Sequence, residues 1–118
     1  MEKFVLITPL TGEYLTTVRL TTGGLCALAQ FDVDSTEDFK VCVTESLLLL
    51  KRSGFQTAKI EFCVREALGC RLVGEGEESA FERSAEDEIS YALLEALLGK
   101  VDFEKDENGR VKAIAFEG

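Results

Sequence analysis

The sequence contains no histidine, and its four cysteines, Cys26, Cys42, Cys63 and Cys70, show no C-x-x-C spacing. A zinc site would need four scattered thiolates, unlike the close ligand pairs that such sites use. Cys26 and Cys42 fall inside apolar helical patterns, where a cysteine acts as a small core hydrophobe. Long apolar runs are missing too. Leu25 to Ala29 and Leu47 to Leu50 fall far below the roughly 20 residues of a bilayer span. The run Phe4 to Ile7 is too short for a secretory h-region and no small-residue cleavage site follows it. Positive charge is scarce: 13 Lys and Arg stand against 22 Asp and Glu, a net charge of −9. That balance repels a phosphate backbone, so neither DNA nor RNA is an expected partner, whereas a basic protein would be attracted. The expectation is a cytoplasmic protein in a reducing compartment, with no metal and no membrane span.

What is present suits one folded domain over residues 1–118, with 46% hydrophobic and 30% charged residues. Phe4 to Pro9 reads as a strand closed by Pro9 and Gly12. Leu15, Val18, Thr22, Leu25 and Ala29 then recur at helical steps, although Gly23 and Gly24 imply a break or a close packing contact. Asp34 with Glu37 and Ser35 with Asp38 form overlapping capping boxes for a second helix to about Arg52, with Gly54 as terminator. Its four consecutive leucines, Leu47 to Leu50, cover every side of a helix, so it is expected to be buried on more than one face.

Residues 57–65 alternate, with Ala58, Ile60, Phe62 and Val64 on one side. Leu68, Cys70 and Leu72 continue the alternation after a turn, as in a β-hairpin. A glycine and glutamate loop follows from Gly74, and Ser84 with Asp87 caps a third helix through about Leu98. Ile89, Leu93, Ala96 and Leu97 are expected to face the core, and Gly99 to end the helix. Two strands around Asn108-Gly109 close the chain. The order predicts an α/β two-layer sandwich, of the α+β kind, with a mainly antiparallel mixed sheet and about three helices on one face.

That order, together with residues 13–46 and 90–116, resembles the GHKL superfamily of histidine-kinase-like ATPases. The likeness is greatest to the small bacterial anti-sigma factors that double as serine kinases. The first stretch carries Arg19-Leu20-Thr21 and the run Glu37-Asp38-x-Lys40-x-x-Val43-x-Glu45. The resemblance implies a Bergerat-like ATPase fold, transcription regulation through a protein partner such as a sigma factor or an anti-sigma antagonist, and a homodimer.

The nucleotide motifs of that family are altered here. Glu45 occupies the catalytic glutamate position, but Leu49 stands where an asparagine would hold Mg²⁺, and a leucine offers no oxygen to a hard cation. Ser53-Gly54-Phe55 stands for a His-Gly-aromatic step. Gly74-Glu75-Gly76-Glu77-Glu78 replaces an Asp-x-Gly-x-Gly motif. Glu86 to Ser90 replaces the glycine-rich turn that cradles phosphate at a helix N-terminus. The nucleotide-binding positions are thus filled by Leu49, Gly54, Gly74, Gly76 and Ser90. The expectation is a regulatory domain that has lost ATP binding and needs no cofactor. The alternative is an active serine protein kinase that binds Mg-ATP or Mg-ADP.

Overall fold

The computed structural model describes residues 2–76 and 85–118. In chain order the elements are β1 (Glu2–Pro9), α1 (Gly12–Leu28), α2 (Val33–Arg52), β2 (Thr57–Val64), β3 (Leu68–Glu75), α3 (Ala85–Leu98), β4 (Asp102–Lys105) and β5 (Val111–Glu117). This is the order expected from the sequence. The Ser84 cap and the acidic loop residues Glu77, Glu78 and Glu82, with Arg83, lie outside the described residues.

The five strands form one sheet in the order β1-β2-β3-β5-β4. Every pairing is antiparallel, so no parallel pair occurs among the described residues. The alternation in β2 decides which face is covered. Ala58, Ile60 and Phe62 are fully buried, opposite Leu72 and Cys70 of β3. The other face is solvated and laced with ion pairs: Lys3–Glu61 at 3.6 Å, Lys59–Glu61 at 3.4 Å and Arg71–Glu104 at 3.1 Å. With one face wet and three helices on the other, the architecture is the expected two-layer sandwich.

Helix α2 lies at the centre of the helical layer, between α1 and α3 and against β2, β3 and β5. Leu47, Leu49 and Leu50 are buried, and Leu48 is half-buried. The chain's own elements therefore cover the leucine run, and no partner is needed to hide it. A T-shaped chain of rings, Phe31–Phe39–Phe116, with centroids 5.6 and 5.3 Å apart, ties the start of α2 to β5.

The helix ends correct some local expectations. Asp32 caps α2, two residues earlier than the capping boxes suggest, with its Oδ1 accepting from the Ser35 amide at 2.7 Å. That bond holds the Asp32 carboxyl below its ordinary value. The stop is as expected: Gly54 adopts φ +99, its N–H donates to Lys51 O, and the Phe55 N–H donates to Leu50 O. This paired closure needs a left-handed residue, a conformation that glycine enters without steric cost. Helix α1 closes in the same way, but there Gln30 holds the left-handed position at φ 62. Gly23 and Gly24 do not break α1. A methyl at Gly23 would meet Lys40 at an ordinary 3.8 Å, and one at Gly24 would meet nothing.

The phase of α3 differs from the expected one. Ile89, Leu93, Ala96 and Leu97 are exposed, whereas Ser90 and Leu94 are buried. Tyr91 packs edge-on to Phe103 of β4 at 5.0 Å and helps set this rotation. The final hairpin turns at Asn108-Gly109, but through residues 106–110 rather than two residues. Asp106 O accepts from the Gly109 N–H, and Gly109 has φ +82.

Candidate functional site

Glu45 and Arg52 lie seven residues apart, two turns, on one face of α2, and the first two turns of α3 pass in front of them. Four side chains meet there. The Ser90 hydroxyl donates to Glu45 Oε1 at 2.8 Å and accepts from an Arg52 amino group at 2.6 Å. Arg52 Nε donates to Asp87 Oδ1 at 2.6 Å. A terminal nitrogen of Arg52 also donates to Glu86 O at 3.4 Å, and the guanidinium lies 3.8 Å from the Glu86 carboxylate.

Helix dipoles favour this arrangement from both sides. Lys51 and Arg52 sit in the last turn of α2, while Glu86, Asp87 and Glu88 sit in the first turn of α3. The Arg52 and Asp87 side chains are only 20% and 14% exposed, so water screens their attraction weakly. Ser90 itself is 1% exposed. Its hydroxyl is satisfied as donor and as acceptor and has no access to a substrate.

The other positions singled out in the sequence have structural roles. Leu49, one turn beyond Glu45, points into the core. Gly54 forms the helix stop. Gly74 lies in β3 under the ring of Phe55, where an added Cβ would come within 2.4 Å of that ring. Gly76 follows the end of β3, beside Thr57. Glu45 and Ser90 are brought into contact, and Gly54 sets Phe55 over Gly74.

Glu45 also borders a small cleft of about 150 Å³ between α1 and α2, lined with Arg19, Val41 and Thr44. Among the described residues no group of three His, Cys, Asp or Glu could hold a metal ion.

Sequence reasoning missed Asp87 and Phe55 as partners. A usable signal was present: three consecutive acidic residues at the start of α3 call for a cation, and Arg52 shares a helical face with Glu45. No protein-family model matches the chain, and no curated protein sequence matches it.

Proposed function

We propose that this chain is a regulatory, protein-binding domain of the anti-sigma-factor kind whose nucleotide site is closed by its own side chains. One observation carries the reading: Arg52, Asp87, Ser90 and Glu45 satisfy one another across α2 and α3. On the GHKL resemblance, phosphates and their metal would lie at the N-terminus of the last helix. Here that place is taken by the carboxylates of Glu86 and Asp87 and the guanidinium that neutralises them. Phe55 lies over Gly74, the position of the adenine-reading aspartate, and Leu49 offers no oxygen to Mg²⁺.

Function then rests on protein contacts. The net charge of −9 favours a basic partner surface. A sigma factor or an anti-sigma antagonist is the partner class that the resemblance suggests. Such a complex weakens as salt screens the attraction.

A thermal melt with and without saturating Mg-ATP or Mg-ADP tests the loss of the nucleotide. Ligand at about 100 times its dissociation constant would add about 2.7 kcal/mol, which raises the midpoint of a domain this small by on the order of 10 °C. The expected shift is nil. A shift of that size overturns the reading in favour of an active serine kinase with Glu45 as its base.

A further inference from the structure

The two edges of the sheet are built differently. At one edge β4 has four residues, Asp102–Lys105, three of them charged, and its register slips between Glu104 and Lys105. Short length, charge and a bulge are the usual devices that keep an edge strand from pairing with another chain. At the opposite edge β1 has none of them beyond its first two residues. It runs for eight residues in unbroken register with β2, and Phe4 to Thr8 carry no charge. Phe4, Val5 and Ile7 are 42%, 44% and 70% exposed.

The ladder shows which backbone groups β1 leaves unused. The Leu10 N–H donates to Gln56 O, directly across from it, so in this antiparallel pair the even-numbered residues of β1 turn their N–H and C=O towards β2. The turn of the next hairpin agrees. Arg65 N–H donates to Ala67 O, which directs the odd residues of β2 to β3 and its even residues to β1. Lys3, Val5 and Ile7 therefore point both backbone groups out of the sheet edge. Pro9, which has no N–H to offer, falls in the same outward set, where proline is tolerated.

This edge is complementary to itself. A two-fold axis at Val5 places Val5 opposite Val5 and Lys3 opposite Ile7, so each outward N–H meets an outward C=O. On the helix-facing side it sets Phe4 against Leu6. No like charges face each other, and each Lys3 keeps its own Glu61 at 3.6 Å. The molecule is acidic, but this strand has one negative and one positive residue, Glu2 and Lys3, and is locally neutral. We propose that a second copy of this chain pairs antiparallel along β1, joining the two five-stranded sheets into one. The pairing uses each edge once and so closes as a dimer. It does not depend on the fate of the nucleotide site.

Sedimentation equilibrium of the whole chain, over on the order of 1 to 100 μM, is the test. The expected species has twice the 13.0 kDa chain mass. Val5→Pro removes an outward N–H that makes no bond to β2, so the variant should fold while its dimer weakens about tenfold or more. Ile7→Lys leaves the backbone alone and brings a charge opposite Lys3, and the same loss is expected. It carries the test should Val5→Pro fail to fold. A monomeric wild type, open-ended oligomers, or a folded variant that dimerises as tightly as wild type would overturn the proposal. A wild-type monomer that captures an extended peptide along β1 would overturn it in favour of a different occupant.

Discussion

The guanidinium of Arg52 lies 2.6 Å from the carboxylate of Asp87, 35 residues further along the chain, and the same guanidinium reaches the Ser90 hydroxyl at 2.6 Å. One side chain thus fastens the central helix to the last one. Arg52→Met should lower stability by about 2 kcal/mol. That is less than the 3–5 typical of a fully buried pair, because these partners keep some contact with water. Ser90→Ala should cost about 1 kcal/mol, and the two losses should not add, since the residues share one network. Urea melts of both single variants and the double variant measure this. Additive losses would mean that the network is not cooperative.

Gly74→Ala should destabilise the domain by about 1–3 kcal/mol, the range for forcing an extra carbon into a packed site. The new methyl would lie 2.4 Å from the Phe55 ring. Combining it with Phe55→Leu should recover part of the loss, because the smaller side chain vacates that space. Thermal melts of the two single variants and the pair decide it. A Gly74→Ala variant as stable as wild type would show that the ring moves aside freely.

Gly24→Ala should stabilise α1 by about 1 kcal/mol, since the helix runs through this position and nothing stands where the methyl would go. Gln30→Gly should add about 0.5 kcal/mol by relieving a left-handed residue, partly offset by the greater freedom of glycine in the unfolded chain. The expected rise in Tm is about 4 °C for the first and less for the second. Differential scanning calorimetry would show either shift directly.

Among the four thiols, Cys63 alone is half-buried, on the wet face of the sheet. Burial raises Cys26 above its ordinary value, pushes Cys42 up to about 12 and places Cys70 well above the range of an accessible thiol. A thiol reagent at pH 8 should therefore modify Cys63 quickly and the other three only on unfolding. The sign of the pH effect follows. As pH rises past the ordinary value of 9.0, thiols of the unfolded chain ionise before the buried ones do. Stability should be fully present below that pH and fall between 9.0 and about 12, with a smaller fall in Cys42→Ala. Fast modification of all four in the folded protein would contradict this burial.

Elements with one apolar face were legible from the residues. The alternation of β2 and the spacing of Phe39, Val43, Leu47 and Leu50 in α2 identify both their type and their buried side. Helix α3 was not legible in this way because it carries apolar residues on two faces. Hydrophobicity favours the face of Ile89, Leu93 and Leu97, yet the inward face contains Ser90, a polar residue that is buried because Glu45 and Arg52 complete its hydrogen bonds. A helix phase set by a polar contact with a distant residue leaves no periodic trace. The positions of Glu45 and Leu49 were legible through the family resemblance. Their surroundings depend on Arg52 meeting α3, and sequence spacing alone does not show that meeting.

The unused backbone groups of β1 also bear on how fast hydrogens leave the molecule. Along this strand the amides of Phe4, Leu6 and Thr8 are locked into the ladder, while those of Lys3, Val5 and Ile7 face water. Deuterium uptake should then alternate residue by residue along one strand, a two-residue rhythm absent from the central strand β3, which is bonded on both sides. Any strand that settles on this edge would slow the fast half of that rhythm and leave the slow half unchanged.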